Sequence, residues 1–197
     1  MGPAATDGED MTKISYLEEL AGTLKEVIQK NLTKTGKITF SEEPKIIKKD
    51  IIEYDHRMRV SGLEKFNAPA YVAGISYYRS PKDQEEHNAC GAIVLYVEEQ
   101  YVEILLKALG QTGIDDENEE MLSKKCGEFC SIVGEEFTTA VSGQGYNDLV
   151  AAVPISFRNT IQDGIDFSYT QYEKYEISFL IKAKKIMVAE ITITPRK

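Results

Sequence analysis

The chain has 197 residues and a mass of 22.1 kDa, and 42% of its residues are hydrophobic and 28% charged, which is typical of a globular protein with one sizeable core. Its net charge of -9 argues against nucleic acid or an anionic membrane as the main partner, because both would repel it at long range. No stretch approaches the roughly 18 consecutive apolar residues of a membrane span, and no signal segment is evident, so a cytoplasmic protein is expected.

The N-terminal third of the chain predicts a tail, a helix and a region of extended segments. Residues 1–10 are small and acidic without apolar periodicity, so a disordered tail is expected, followed by a single domain over residues 11–197. From residue 13 to residue 32 the apolar residues recur every three or four positions, which predicts an amphipathic helix. Residues 37–63 are rich in isoleucine and valine but broken by proline and glycine, which predicts extended segments with poorly defined ends.

The middle of the chain predicts a pair of strands followed by a helix. The segments AYVAGISYY (70–78) and ACGAIVLYV (89–97) are rich in β-branched and aromatic residues and predict two strands. The polar connection RSPKDQEEHN between them has the character of a hairpin loop. The segment EEQYVEILLKALG (98–110) has helical apolar spacing and ends in a glycine that is suited to stop the helix.

The C-terminal half predicts a long helix and further strands. The acidic run IDDENEE (114–120) precedes a helix over residues 117–142, where negative charge is favourable because a helix N-terminus is partly positive. Residues 149–157 and two alternating runs within residues 167–193 predict strands. Adjacent hairpins with few intervening helices predict an α+β fold, mainly an antiparallel sheet with helices packed on one face.

The long helix is predicted to have two chemically different faces. With successive residues about 100° apart, its apolar side chains gather on one stripe that is expected to face the core. The stripe contains Leu122, Cys126, Phe129, Cys130, Val133, Phe137, Ala140 and Val141. The opposite face is expected to be exposed, with neighbours at spacings of three and four residues. It contains Lys124, Glu128, Ser131, Glu135 and Thr138.

Two glycines interrupt this helix. Gly127 and Gly134 are seven residues apart and lie on one flank, between the two faces. Each costs about 1 kcal/mol relative to alanine in a helix interior, which indicates that another part of the protein or a partner comes close to the backbone there. Tight internal packing is the favoured explanation.

The cysteines are predicted to be reduced structural thiols. The sequence has only Cys90, Cys126 and Cys130, too few for a disulfide scaffold, and their odd number leaves at least one thiol unpaired. Cys126 and Cys130 are one helical turn apart, but both lie in the apolar stripe, and the only histidines are His56 and His87. The acidic run lacks the glycine and alternating ligands of a calcium loop. No metal and no cofactor is therefore predicted, and the chain has no P-loop or dinucleotide fingerprint.

These residues carry a resemblance to a known family. The segment CGEFCSIVGEEFTTAVSGQGYNDLVAAVPISF, preceded by GAIVLYVEEQYVEILLKAL, resembles the CheX-like and CheC-like chemotaxis phosphatases. The resemblance covers about residues 68–193 by order of elements and is sharpest from Gly127 to Phe157. It implies a CheX/CheC-like α+β fold, and it implies a homodimer, because CheX-like chains carry one motif helix and pair through the sheet.

The resemblance also implies a partner and two site residues. In that family the corresponding helix exposes a Glu-x-x-Asn motif that enters the active site of a phosphorylated CheY-type receiver domain. The glutamate pairs with the receiver's lysine, and the asparagine orients the water that hydrolyses the aspartyl phosphate. Glu128 matches the glutamate, whereas Ser131 stands in place of the asparagine. Lys124, Glu135 and Thr138 would then contact the partner.

The presence of Ser131 in place of asparagine leaves several functional hypotheses open. A hydroxyl reaches one bond less far than a carboxamide, and a misplacement of about 1 Å can cost on the order of a hundredfold in rate. A CheX-like domain that docks on the receiver with weak or lost phosphatase activity is one hypothesis. A non-catalytic binding or scaffold module of the same fold, with a different protein partner, is the alternative. A structural domain whose partner lies along the sheet edge stays open as a third. The similar pair Glu26 and Gln29 on the first helix is interpreted as a solvated face.

Overall fold

A computed structural model describes residues 15–168 and 171–195 of the chain. Its helices are α1 (Tyr16–Lys30), which continues into a π-helical turn (Asn31–Thr35), α2 (Gly62–Phe66), α3 (Pro81–Glu85), α4 (Glu99–Ala108) and α5 (Glu119–Ser142). Its strands are β1 (Lys45–Asp50), β2 (Glu53–Tyr54), β3 (Arg57–Val60), β4 (Ala70–Tyr78), β5 (Gly91–Glu98), β6 (Val150–Ala151), β7 (Ile155–Asn159), β8 (Asp163–Ile165), β9 (Glu173–Ile181) and β10 (Lys184–Ile193). The predicted tail (residues 1–10) and the start of the first predicted helix lie outside the described residues.

The main sheet is antiparallel, as predicted. Its order is β1-β9-β10-β5-β4, and both β6 and β7 pair with β4 at the far edge. The predicted hairpin is present as β4 and β5, which pair from Ala70 opposite Glu98 to Tyr77 opposite Gly91. This confirms the predicted α+β class.

One face of the main sheet carries the long helices. Buried side chains of α1, α4 and α5 pack on alternate residues of β4, β5, β9 and β10, such as Ile75, Ile93, Ile177 and Ala189. The prediction of helices packed on one face is therefore confirmed for α1, α4 and α5. Among the described residues, no helix combines the length and the apolar character that a bilayer span requires.

The other face is covered by a second layer that the sequence did not predict. A small sheet of β2, β3 and β8 packs there together with α2. Met58 and Ile165 of this layer join a second core cluster with Val72, Val94 and Val188 of the main sheet. Because β4, β5 and β10 are apolar on both sides, their side chains require a cover on each face.

A cluster of charges is buried beneath α2. Glu190 of β10 is fully buried, and its carboxylate accepts hydrogen bonds from Tyr96 Oη at 2.8 Å, from Lys174 Nζ at 2.8 Å and from Lys65 Nζ. The ammonium of Lys65 also donates to Glu176 Oε2 at 2.6 Å. Burial alone would raise the pKa of Glu190, but attraction from Lys174 and Lys65 outweighs it, so the pKa lies below its ordinary value.

The connection between β4 and β5 differs from the predicted loop. Residues Pro81–Glu85 form the short helix α3. Ser80 caps it, since the Asp83 N–H donates to the Ser80 hydroxyl at 3.1 Å, and the proline stands in the first turn, where its missing N–H costs nothing. The polar composition that indicated a loop is also that of a capped, exposed helical turn.

The predicted strand over residues 149–157 is divided in two. The strands β6 and β7 both pair with β4, but residues 152–154 lie between them. Pro154 has no N–H to donate to the ladder, which interrupts the pairing at this edge. The strand β7 then continues to Asn159, beyond the predicted end.

Close packing of α5 on the sheet explains its glycines. A Cβ at Gly134 would overlap the Cδ1 atom of the buried Ile75 on β4, and a Cβ at Gly127 would lie 2.9 Å from Ser156 Oγ on β7. By contrast, a Cβ at Gly22 of α1 would have no other atom within 4 Å. The close approach predicted from the two glycines is therefore internal, and it fixes how α5 is turned on the sheet.

We expect opposite effects from alanine at two helical glycines. Gly22→Ala should raise the free energy of unfolding by up to about 1 kcal/mol, because alanine is the better helix former and the site is open. Gly134→Ala should lower it by about 1 kcal/mol or more, because the clash with Ile75 outweighs that gain. Urea denaturation monitored by circular dichroism measures both, and a stabilising Gly134→Ala would contradict the packing described.

Removing the buried charge of Glu190 should be costly. Glu190→Gln is expected to lower the free energy of unfolding by about 3 kcal/mol near pH 7, because two buried ammonium groups lose their shared anion. Glu43→Gln, which breaks an exposed pair with Lys25, is the matched control and should have no measurable effect. Because the folded pKa of Glu190 is depressed, its contribution is present above the unfolded value of 4.5 and is lost as the pH falls through the folded value. If the difference in free energy of unfolding between Glu190→Gln and wild type stayed the same in acid, the stabilising role of the Glu190 charge would be contradicted.

Candidate functional site

The N-terminal end of α5 is fixed by a cap and a salt bridge. The Met121 N–H donates to the side-chain oxygen of Asn118 at 2.9 Å, so the cap lies within the predicted acidic run. Arg158 of β7 forms a two-pronged pair with Glu99 of α4, with Nε to Oε1 at 2.8 Å and Nη2 to Oε2 at 3.1 Å. Its Nη1 atom lies 3.7 Å from Glu119 of α5. The starts of α4 and α5 are therefore tied to the same edge strand.

The middle of α5 is tied to α1. The carboxylate of Glu136 accepts hydrogen bonds from Lys30 Nζ at 3.2 Å and from Asn31 Nδ2 at 3.1 Å. With α1 on one flank and β7 on the other, only one longitudinal face of α5 is open to solvent. Ala140 was predicted to lie in the buried stripe, but it is exposed; it lies at the edge of that stripe, on the α1 side, where the packing ends.

The thiols on the inner face of α5 are free and buried, as predicted. Burial raises the pKa of Cys126 to about 12 and raises that of Cys130 further. Cys90 of the β4–β5 connection is also buried, and its pKa is raised to about 11. Such thiols are protonated and unreactive at neutral pH. Among the described residues, no three His, Cys, Asp or Glu side chains converge on a point that would suit a metal ion.

Glu128 lies on the open face of α5. Its side chain is 41% exposed, and its Oε2 atom accepts a hydrogen bond from Lys125 Nζ at 2.9 Å. A pair between a lysine and a glutamate three residues apart on one helix contributes only about 0.2 to 0.5 kcal/mol, so the carboxylate can exchange this partner for another at little cost. Lys125 was not singled out from the sequence, although its spacing of three residues from Glu128 was a usable signal.

Ser131 lies one turn beyond Glu128 and is half-buried. Within residues 15–168 and 171–195 its hydroxyl makes no hydrogen bond to another side chain or to the backbone. The hydroxyl is therefore available to a water molecule. Ile132, its neighbour, is 44% exposed on the same face and is an apolar contact point that was not predicted from the sequence.

The three predicted partner-contact residues differ in their availability. Lys124 and Glu135 are exposed, and neither side chain pairs with any other described residue. Thr138 is half-buried, and its hydroxyl donates to the Gly134 carbonyl at 2.8 Å, within its own helix. The structure therefore groups Lys124, Glu128, Ser131 and Glu135 on one open face and places Thr138 at its margin.

The side chains of this face can position a reacting group, but they do not form a complete hydrolytic site. It offers the carboxylates of Glu128 and Glu135, the free hydroxyl of Ser131 and the ammonium groups of Lys124 and Lys125, on a convex helix surface that excludes no water. Hydrolysis generally requires a positioned nucleophile together with groups that stabilise the transition state. Any reaction at the open face would therefore need further groups from another molecule.

Glu26 and Gln29 on α1 have the same spacing as Glu128 and Ser131, but their surroundings differ. Glu26 is exposed on α1, but Gln29 donates to Glu43 Oε2 at 3.5 Å beside the Lys25–Glu43 ion pair. The carboxamide therefore belongs to a surface network that joins α1 to the segment before β1. Interpretation of this pair as part of a solvated face agrees with these contacts.

Comparisons with known proteins identify the fold. No protein-family model and no curated protein sequence matches the chain. Among solved structures, the chemotaxis protein CheX from Desulfovibrio desulfuricans has a TM-score of 0.55 at 14% identity, covering 89% of this chain and 99% of that one. A CheC-like superfamily protein from Shewanella sp. PV-4 has a TM-score of 0.56 at 15% identity, covering 88% and 96%.

A third solved structure contains a partner. A chain of the CheX–CheY–BeF3–Mg²⁺ complex from Borrelia burgdorferi has a TM-score of 0.52 at 14% identity, and the match covers 93% of this chain and all of that one, 100%. At identities this low, the structural similarity shows a shared fold and nothing more. The chain therefore has the fold of the CheX and CheC-like chemotaxis proteins, as its sequence resemblance predicted.

Proposed function

We propose that this protein docks on a phosphorylated CheY-type receiver domain through the open face of α5, and that its aspartyl-phosphate phosphatase activity is weak or lost. The observation that carries the proposal is the Glu128 carboxylate, exposed on a helix whose other sides are all fixed to the fold. The complex of a CheX with CheY and BeF3, from a protein of the same fold, supports the choice of partner.

Glu128 would pair with the lysine of the receiver's active site. To do so it releases Lys125, because a pair between residues three apart on one helix is weak. The rigid attachment of α5 to β4, β7 and α1 lowers the entropy lost on docking, because the carboxylate is presented on an element that is already ordered. Lys124, Glu135 and Thr138 would contact the surrounding receiver surface, and Ile132 would add an apolar contact among them.

The reaction requires little from the docked protein. Water attacks the phosphorus atom, the bond to the aspartate oxygen breaks, and the carboxylate leaves, so the helper chiefly positions the water in line. Ser131 has a free hydroxyl but a shorter reach than a carboxamide, and it holds the water less well. Docking without efficient turnover follows from this difference.

The second candidate function is a non-catalytic binding or scaffold module with a different protein partner. The serine at position 131 favours it, because binding alone requires no carboxamide to hold a water molecule. In this case the open face of α5 recognises its partner as a patch of fixed charges around Ile132.

The proposal extends to the assembly and its setting. The chain would act as a single domain over residues 11–197, as a homodimer, in the cytoplasm. The strand β1 forms one edge of the main sheet, with one side unpaired among the described residues. Its lysines at positions 45, 48 and 49 are exposed, which protects the edge from non-specific pairing but is compatible with a specific partner.

Docking is tested with a CheY-type receiver trapped by beryllium fluoride. Glu128→Ala should raise the Kd at least tenfold, because a charge-assisted pair is lost at the centre of the contact. Glu86→Ala is the matched control: it removes another lysine-paired glutamate, at the end of α3, and should leave the Kd unchanged. Isothermal titration calorimetry measures both, and equal affinity of Glu128→Ala and wild type would end the helix-face hypothesis.

Turnover is tested by restoring the carboxamide. Ser131→Asn should accelerate phosphate loss from an autophosphorylated receiver by on the order of tenfold or more, because the water is then held in line. Thr139→Asn, an exposed change two turns further along α5, is the control and should have no effect. Unchanged turnover in Ser131→Asn with intact docking would favour the non-catalytic module.

A further inference from the structure

A groove beside α4, at the edge of the core, has no partner in the fold. It lies between α4 and the turn that joins β9 to β10, and it encloses about 360 Å³. The segment that follows α1 contributes Ile38 to its wall. The groove involves none of the residues of the open face of α5, so binding in the groove is independent of the proposed function.

The groove is apolar because the apolar side of α4 extends beyond the part that the core covers. Val102, Leu105 and Leu106 anchor the helix in the core, as the sequence periodicity requires. Tyr101 and Ile104 continue this apolar side toward solvent, and Ile104 is 63% exposed. Burying an isoleucine side chain is worth about 1.5 to 3 kcal/mol, so an exposed one at the mouth of a groove is a strong potential contact.

The rim of the groove is basic in an acidic protein. Lys182 and Lys184 line it, and no aspartate or glutamate does so among the described residues. Neither lysine forms an ion pair with any residue that the structure describes. The Lys184 ammonium lies 6.0 Å from the centroid of the Tyr101 ring, at the outer limit of a cation–π contact. The chain as a whole has 32 acidic and 23 basic residues, so this composition is a local inversion.

The turn that presents these lysines has an unfavourable backbone. Lys182 and Ala183 have φ values of 49° and 61°, in the left-handed region that glycine or asparagine occupies at lower cost. Ile181 pairs directly with Lys184 across this two-residue turn. The arrangement keeps a lysine, rather than a small turn residue, at the rim of the groove.

We propose that this groove binds a short acidic segment of a partner protein, with one large apolar side chain in the groove and carboxylates on Lys182 and Lys184. The apolar floor supplies affinity, and the two ammonium groups select acidic sequences over neutral or basic ones. The volume lies near the lower end of ligand sites, which suits one or two side chains rather than a cofactor.

The test begins with a library of random displayed peptides of about a dozen residues, selected on the full chain. Selected peptides should share one leucine, isoleucine or phenylalanine flanked by glutamate or aspartate. A fluorescently labelled peptide of the selected consensus is then titrated with wild-type protein and variants by anisotropy. The absence of any shared acidic and apolar pattern would overturn the proposal.

Variants of the groove residues test whether the selected peptide binds in the groove. Ile104→Asp should weaken binding at least tenfold, and the double variant Lys182→Glu with Lys184→Glu should do the same and remove the dependence on salt. The control, Lys48→Glu with Lys49→Glu, makes the same change of charge on β1 and should leave binding within about twofold. Circular dichroism confirms that each variant is folded. Peptide binding that survives both groove variants would overturn the proposal.

Two other possible occupants of the groove, a second copy of this chain and a lipid surface, can be distinguished with the same variants. If the groove joined two copies of this chain, Ile104→Asp would change the mass measured by light scattering. If it bound a lipid surface, wild-type protein would co-sediment with phosphatidylglycerol vesicles and Ile104→Asp would not. Either result, without binding of the acidic peptide, would contradict the proposal.

Discussion

The close packing of α5 on the main sheet is the constraint on which the site depends. Gly134 and Gly127 allow β4 and β7 to approach the helix backbone, and no larger residue fits against Ile75 without displacement. This contact fixes the rotation of the helix about its axis, and a change of about 100° would move each residue to the position of its neighbour. The direction in which Glu128 faces is therefore set by two residues that have no side chain.

Under the proposed function, the open face of α5 supplies only half of a reactive centre. This face offers the carboxylates of Glu128 and Glu135 and the free hydroxyl of Ser131, and the proposed reaction takes its remaining groups from the bound receiver. Lys125 gives Glu128 an internal partner that is weak enough to be exchanged. A surface of this kind favours recognition over turnover, and the serine at position 131 strengthens that tendency because its reach is short.

The sequence predicted those features that arise from local periodicity. The stripe of α5, its exposed face and the β4–β5 hairpin followed from the spacing of apolar residues. The second layer did not, because β8 has only three residues, Asp163–Ile165, and carries no detectable period. The buried Glu190 was equally hidden, since its partners Lys65 and Lys174 lie in other elements and a charged residue in a strand is normally exposed.

The central claim is that the receiver contacts the open face of α5. The most direct measurement is a methyl NMR spectrum of isoleucine-labelled protein, with and without a CheY-type receiver activated by beryllium fluoride. Ile132 lies on that face, whereas Ile104 lies in the groove beside α4. We expect the Ile132 signal to shift or broaden with the activated receiver only, and the Ile104 signal to stay unchanged. An unchanged Ile132 signal, with the receiver bound elsewhere, would contradict the claim.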